Sequence, residues 1–224
     1  LDDGAITSWE LLKYLKNFGS SNEKVKLLNN TKGSRYTALA NVQSQELDAP
    51  TKYTSVKAKY SLGGNNKLTV SIQGTASGLT EVIKSYTFTR NSHLVEVQQL
   101  VKNTSNKKIE WRQYNTLSRG EETEGNVMLY TYTGAAYFDS EDKFNKIDFS
   151  DIENESFQKE AKTSWISMIQ HYFFTAWLPS DKGSDKKTIY TRLLSEDNKN
   201  SYQIGSVDNY IALSPGESYS FDSK

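Results

Sequence analysis

Apolar and polar residues alternate with a period of two along much of this chain, and this alternation restricts the fold more than any other feature. Residues 68–72 read apolar, polar, apolar, polar, apolar, and residues 86–89 continue the pattern with aromatic side chains. Successive side chains of a β-strand point to opposite faces, so such runs are typical of strands with one buried face. The alternation predicts a chain built mainly of β-strands.

Short segments rich in glycine and asparagine separate these runs. The expected turns lie at residues 62–66, 74–78, 90–92 and 103–106. Glycine and asparagine reach positive φ at low cost, as tight turns require. In the second half, strands are expected near residues 126–133, 186–194, 201–206, 210–213 and 217–222. Closely spaced strands with turns between them predict an antiparallel sandwich rather than alternating strands and helices.

Two apolar segments admit more than one interpretation. The apolar residues of 165–173 fall at helical spacing, but their aromatic and β-branched content favours strands. We favour two buried strands with a bend at Gln170-His171, because the surroundings are all-β and the stretch ends in Leu178-Pro179. Residues 6–15 could form a strand or a short helix, and we expect the strand.

Composition excludes several classes of function. The 27 basic residues balance the 27 acidic ones, which argues against the net basic face that nucleic-acid binding requires. The chain contains no cysteine, which removes disulfides, thiol catalysis and cysteine-ligated metals. No apolar run is long enough to cross a bilayer.

Groups able to carry out catalysis are sparse. We expect His93 in an exposed turn and His171 inside an aromatic cluster, as a core or edge histidine with its ring hydrogen-bonded. No carboxylate lies at metal-ligand spacing to either. No nucleophile elbow or phosphate loop occurs. The glutamates of 121–124 and the carboxylates of 148–155 are expected in solvated loops. The sequence therefore predicts no enzyme, no cofactor and no metal site.

Two aromatic-rich blocks differ from the rest of the chain. The first covers residues 133–138 and 142–149, and the second covers residues 164–179. Glycine and alanine at 134–136 permit close approach of backbones, and the aromatic residues have a large area to bury. Such residues mark either a core or an exposed interface, and their types alone leave both interpretations open.

These blocks resemble the YidC family of membrane protein insertases. Residues 134–137, with their charged and aromatic continuation, are similar to the family's G-A-A-Y block. Residues 165–179 resemble its W-x-x-M-x-Q-x-Y-F-x-T-A-W-I/L-P stretch, with Met168 and Gln170 at the matching places. The remaining chain is similar more loosely, through strand order and spacing.

The resemblance implies a fold, a location and a function. The implied fold is all-β with minor α content, an antiparallel β-supersandwich resembling the galactose mutarotase-like fold. Residues 1–224 would form a single periplasmic domain, truncated at both ends and lacking the family's membrane helices. The implied location is the periplasmic face of the bacterial inner membrane. The implied function is that of an accessory and interaction domain, which helps an insertase insert and fold membrane proteins, alone or with the Sec translocon.

The resemblance also implies partners and candidate residues. The partners would be accessory subunits of the Sec translocon and, through the full-length protein, nascent membrane proteins. We expect the partner-facing region within residues 129–178, where the most specific matches cluster. The candidate partner-binding residues are Gly134, Ala135, Ala136, Tyr137, Phe138, Lys143, Phe144, Trp165, Tyr172, Phe173 and Trp177.

Two other functions remain open at this point. A carbohydrate-binding or mutarotase-like sandwich predicts a cleft lined by exposed tryptophan or tyrosine with carboxylates nearby. A stand-alone periplasmic chaperone predicts an exposed apolar groove. The mutarotase likeness further suggests a degenerate cleft that holds an extended polymer or peptide without turnover.

Overall fold

Antiparallel strands make up almost all of the regular structure. A computed structural model of the chain describes residues 3–16, 22–31, 35–47, 52–120, 132–170, 172–179, 186–196 and 199–224. The strands are β1 Trp9–Leu15, β2 Lys24–Leu28, β3 Tyr36–Ser44, β4 Lys52–Ser55, β5 Lys67–Ala76, β6 Thr80–Thr89, β7 Val95–Asn103, β8 Ile109–Gly120, β9 Thr133–Asp139, β10 Lys143–Ile147, β11 Gln158–Lys162, β12 Trp165–Gln170, β13 Phe173–Trp177, β14 Lys186–Glu196, β15 Lys199–Asp208, β16 Ile211–Leu213 and β17 Ser218–Ser223. In the described residues a single short helix, α1 (Phe149–Asn154), follows β10.

The strands form three sheets and an N-terminal hairpin. Sheet I has the order β17-β7-β6-β5-β4, and sheet III has the order β10-β9-β12-β13. Sheet II has the order β11-β14-β15-β8-β16, with β3 also paired to β8. The hairpin consists of β1 and β2, and neighbouring strands run antiparallel throughout the described pairs.

The core lies between one face of sheet II and both other sheets. On that face Ala38, Leu117 and Ile204 are directly paired across three neighbouring strands and are at most 3% exposed. The Tyr36 hydroxyl of sheet II donates a hydrogen bond to the Met168 carbonyl of sheet III at 3.1 Å. The Gln113 amide of sheet II donates to the Ser223 hydroxyl of sheet I. Sheet II therefore backs two smaller sheets, which confirms the expected β-supersandwich.

Positive-φ residues occupy several of the expected turns. Asn91 has φ 58° between β6 and β7, and Gly216 has φ 80° between β16 and β17. Gly63, with φ 53°, lies instead in a long connection between β4 and β5, because Ser55 pairs with Ile72. That connection is a wide loop rather than a tight hairpin.

The two ambiguous segments are strands. Residues 165–170 form β12 and residues 173–177 form β13, which pair antiparallel, and the N-terminal segment forms β1. Residues 171 and 121–131 lie outside the described part, so the expectations for His171 and the glutamates of 121–124 concern residues that are not described. The same holds for most of the strand expected at 126–133, while β9 begins at Thr133.

The expectation of a solvated loop at residues 148–155 was wrong, because the helix α1 forms there. The backbone amide of Asp148 donates to the Asp151 carboxylate at 3.2 Å, which is half of a capping box at the start of the helix. Ile152 is 2% exposed and anchors the helix to the core. This helix is far too short to cross a bilayer, and the described residues include no other.

Candidate docking surface

Sheet III is built from the two aromatic-rich blocks, which supply adjacent hairpins. The first block forms β9 and β10, and the second forms β12 and β13. Because β9 pairs with β12, the two hairpins join into one sheet. The register then decides which of the candidate residues face the core and which face outward.

Three of the candidate residues belong to the core. On the inner face, Ile166 of β12 is directly opposite two of them, Tyr137 of β9 and Trp177 of β13. Both candidates are 6% exposed, and Ile166 is 0% exposed. The Trp177 indole donates to the Thr116 carbonyl of sheet II at 3.0 Å. Ala135 is fully buried on the same face. Core packing therefore explains Ala135, Tyr137 and Trp177 without a partner.

Gly134 and Ala136 lie on the outer face but are covered. A Cβ atom on Gly134 would lie 2.5 Å from the Tyr132 hydroxyl oxygen, so only glycine fits beneath that ring. The Tyr132 hydroxyl donates to the carbonyls of Ala135 at 2.9 Å and Ile147 at 3.0 Å. Glycine at position 134 thus leaves the space that the Tyr132 side chain occupies against the sheet.

An aromatic row, consisting of Phe144, Phe138 and Trp165, crosses the outer face of sheet III. The three residues are directly opposite one another on β10, β9 and β12. The Trp165 ring stacks on Phe138 with centroids 5.9 Å apart and planes 7° apart, and its centroid is also 5.9 Å from that of Phe144. Phe144 is 48% exposed, and the other two are half-buried. Three large rings therefore form a continuous surface that the chain itself does not cover completely.

A hydrogen-bonded turn holds one end of the aromatic row in place. The Asp139 carboxylate accepts from the amides of Glu141 at 2.7 Å and Asp142 at 2.6 Å, and from the Lys159 ammonium at 2.7 Å. Burial alone would raise the pKa of Asp139, but these donors outweigh it and hold the pKa below its ordinary value. Lys143, which follows this turn, is exposed and has φ 64°.

Tyr172 and Phe173 lie apart from the aromatic row, in a seam groove between sheets I and III. The groove has a volume of about 460 Å³. It is lined by Ile6, Trp9, Leu11, Tyr14, Leu27, Leu28, Ala38, the residues 93–95, Val97, the residues 172–178 and Lys224. The sequence did not indicate the contributions of β1, β2 and β7, because only the topology brings these distant segments beside β13.

A second cleft lies on the opposite face of sheet II. It has a volume of about 620 Å³ and is lined mainly by polar side chains, among them Asn30, Arg35, Ser118 and Gln203. Of the described residues that line it, Asp3 alone is acidic and none is aromatic, whereas those that line the seam groove include aromatic residues and no acidic side chain. Among the described residues, neither cleft combines the aromatic and acidic groups that the carbohydrate-binding interpretation predicts.

In the part of the chain that the structure describes, no acidic side chain lines the seam groove beside His93. His93 is exposed just before β7, as expected from the sequence. A sugar mutarotase needs a general acid and a general base on opposite sides of one ring. Within the described residues, no group of three or more histidine or acidic side chains could hold a metal ion either.

Comparisons with known proteins agree with this architecture. The chain matches the family described as YidC periplasmic domain over residues 1–224. It is 34% identical over 174 residues to the membrane protein insertase YidC of Methylobacillus flagellatus, covering 77% of this chain and 31% of that protein. It is 32% identical over 232 aligned positions to that of Legionella pneumophila strain Paris, covering 97% of this chain and 40% of that protein. The chain thus spans well under half the length of these relatives.

Solved structures share the fold at low sequence identity. An alpha-galactosidase from Geobacillus stearothermophilus aligns with a TM-score of 0.52 and 12% identity, over 96% of this chain and 31% of that one. A galactose mutarotase-like protein from Lactobacillus casei aligns with a TM-score of 0.50 and 10% identity, over 84% of each chain. These likenesses confirm the galactose mutarotase-like sandwich.

Proposed function

The chain belongs to the YidC periplasmic domain family, and from this membership we propose that it is the docking module of a membrane protein insertase. Its role is to bind partner proteins at the periplasmic face of the inner membrane, and it makes or breaks no covalent bond. The partners are accessory subunits of the Sec translocon and, through the full-length protein, nascent membrane proteins. Insertion itself then belongs to the parts of the relatives that this chain does not match.

The aromatic row is the observation that carries this proposal. Protein interfaces are enriched in aromatic residues, and large exposed aromatic surfaces on a monomer mark interaction sites. The row lies on a stable support, since its three strands are hydrogen-bonded neighbours and their inner faces are buried in the core. Such a rigid surface loses little conformational entropy when a partner binds.

Charge around the row fits a protein partner. Lys143 and Lys146 are exposed on β10 beside Phe144, and the Lys146 ammonium lies 4.4 Å from the centroid of the Tyr132 ring. An aromatic centre with a charged rim is the usual anatomy of a protein interface. The exposed carboxylates of Glu141 and Asp142 precede Lys143, so this rim carries both signs and favours a partner with complementary mixed charge.

Site-specific photocrosslinking in inner-membrane vesicles tests the proposal. A photoreactive residue at Lys146 is preferable to one at Lys143, because Lys143 occupies a positive φ of 64°. We expect crosslinks from position 146 to Sec components. The matched control is Lys102, an exposed lysine on β7 of sheet I, which should give none. Crosslinks that arise only from the strands of residues 57–101 would exclude sheet III as the docking surface.

A further inference from the structure

The seam groove borders an unprotected strand edge. Among the described residues, β13 pairs only with β12, so its other edge is open toward the groove. At one end of this edge, the Leu178 amide next to sheet III donates a hydrogen bond to the Lys224 carbonyl next to sheet I at 2.8 Å. All five residues of β13 line the groove beyond that bond.

The edge at β13 lacks the charged and proline residues that usually prevent strand addition, and the β1–β2 hairpin contacts it through the Tyr14 ring, 5.4 Å from that of Phe173. Proteins protect exposed edges with charged residues, proline, bulges or covering segments. The outer strands β10 and β11 follow this rule, since they carry Lys143, Lys146, Lys159 and Lys162. By contrast β13 reads Phe-Phe-Thr-Ala-Trp, with neither a charged residue nor proline. Among the described residues, the outward-facing backbone groups of β13 before Leu178 have no strand partner.

The walls of the groove suit apolar side chains. Trp9, Leu11 and Val95 belong to its walls, with Ala38 of sheet II also in the lining. Around it Leu94 is 42% exposed and Phe174 is 64% exposed, although both are large and apolar. The volume of about 460 Å³ is within the range of pockets that bind whole ligands, and it can hold several aliphatic side chains.

We propose that an extended apolar segment of another polypeptide binds in the seam groove by adding a strand to the edge of β13. Backbone hydrogen bonds to β13 supply affinity, and alternate apolar side chains of the segment fill the groove. The five residues of β13 are about 17 Å long, so the bound segment has about five or six residues. A lipid chain or a helix would leave the open backbone groups of β13 unpaired, which disfavours both as occupants.

Backbone N-methylation of a synthetic peptide tests strand addition directly. The probe is a fluorescent eight-residue peptide with leucine or valine at alternate positions and threonine between them. Two isomers carry N-methyl groups on one or the other set of alternate amides. In an added strand only one set of amides faces β13. We expect saturable binding of the parent peptide by fluorescence anisotropy, with one isomer equal to the parent and the other at least about tenfold weaker.

A pair of variants locates the binding site. Phe174→Lys places a charge on the open edge without disturbing the core, because Phe174 is 64% exposed, and it should weaken the parent peptide at least about tenfold. The matched control is Tyr219→Lys, which changes an exposed aromatic residue on the edge strand β17 outside the groove lining and should leave binding unchanged.

Three results would overturn the inference. Equal affinity of both N-methyl isomers would mean that the groove binds side chains without strand pairing. Loss of binding in both lysine variants would place the site elsewhere. Absence of peptide binding, together with a dimer that Phe174→Lys dissociates in sedimentation experiments, would assign the groove to a second copy of the chain.

Discussion

Replacing Lys84 with methionine should remove most of the pH dependence of stability between about pH 7.5 and pH 9.5. Lys84 lies on β6, between sheets I and II, and is 0% exposed. Its ammonium donates to the Asp3 carbonyl at 2.8 Å and lies 4.4 Å from the centroid of the Tyr53 ring. Methionine keeps the aliphatic part of this side chain and removes the titrating group.

The direction of the effect follows from the pKa of Lys84. Burial lowers this pKa from 10.5 to about 7, although the Asp3 carboxylate raises it. Between these two values the unfolded chain binds one proton more than the native chain. The free energy of unfolding therefore increases with pH across this window. Below about pH 7 the native chain also binds this proton, so the cost of burying the charge is fully present and no longer changes with pH.

The magnitude follows from proton linkage. A difference of one bound proton changes the free energy of unfolding by about 1.4 kcal/mol per pH unit. Between about pH 7.5 and pH 9.5 the wild-type chain should gain roughly 2–3 kcal/mol. The measurement ends at about pH 9.5, because tyrosines begin to titrate above it. Burial raises the pKa of Tyr53 and Tyr86 in the native chain. At higher pH these tyrosines therefore lose their protons in the unfolded chain before they do so in the native chain, and the free energy of unfolding decreases again.

Urea unfolding followed by tryptophan fluorescence at several pH values measures this dependence. Lys84→Met should give a nearly flat free energy of unfolding across the window, with an unchanged urea dependence. The matched control Lys102→Met, at an exposed lysine on β7, should keep the wild-type slope. Equal slopes in the wild-type and Lys84→Met chains would refute the reasoning that a buried amine is neutral in the native state.

Three further predictions concern other parts of the molecule. Gly134→Ala should destabilise the chain by about 1–3 kcal/mol in urea unfolding, because its Cβ would meet the Tyr132 hydroxyl, whereas Gly64→Ala, with no atom within 4 Å, should be near neutral. The depressed pKa of Asp139 adds stability that is lost as pH falls through that pKa, so Asp139→Asn should reduce the acid sensitivity of unfolding below about pH 4. Incubation with α-glucose or α-galactose should leave the buffer rate of mutarotation unchanged in polarimetry, and clear acceleration would contradict a pure docking role.

Most of the fold could be predicted, because exposed sheet faces leave a period-two pattern in the sequence. The pattern failed for β12, where helical spacing competed with strand composition. Ile166, Ser167 and Met168 are all at most 1% exposed, so this strand is buried on both faces and loses the alternation. Residue composition and context identified it correctly where periodicity alone would not.

The candidate site could be predicted only in part, because side-chain direction depends on strand register. Phe138 and Tyr137 are adjacent in one motif, yet one lies in the outer aromatic row and the other lies in the core. The α1 helix was missed, since Ile152 is its single buried residue and is flanked by the acidic residues Asp151 and Glu153. The seam groove joins Trp9 to Phe173, and no local pattern relates such distant positions.

Binding of the chain to bacterial inner-membrane vesicles that contain the Sec translocon tests the central claim most directly. The measurement compares the wild-type chain with Phe144→Asp, which places a charge in the aromatic row at a residue that is 48% exposed, and with Tyr219→Asp as an exposed aromatic control on sheet I. We predict that Phe144→Asp binds at least about tenfold more weakly in co-sedimentation while Tyr219→Asp binds like the wild type. Equal binding by all three chains would contradict a docking role for the outer face of sheet III.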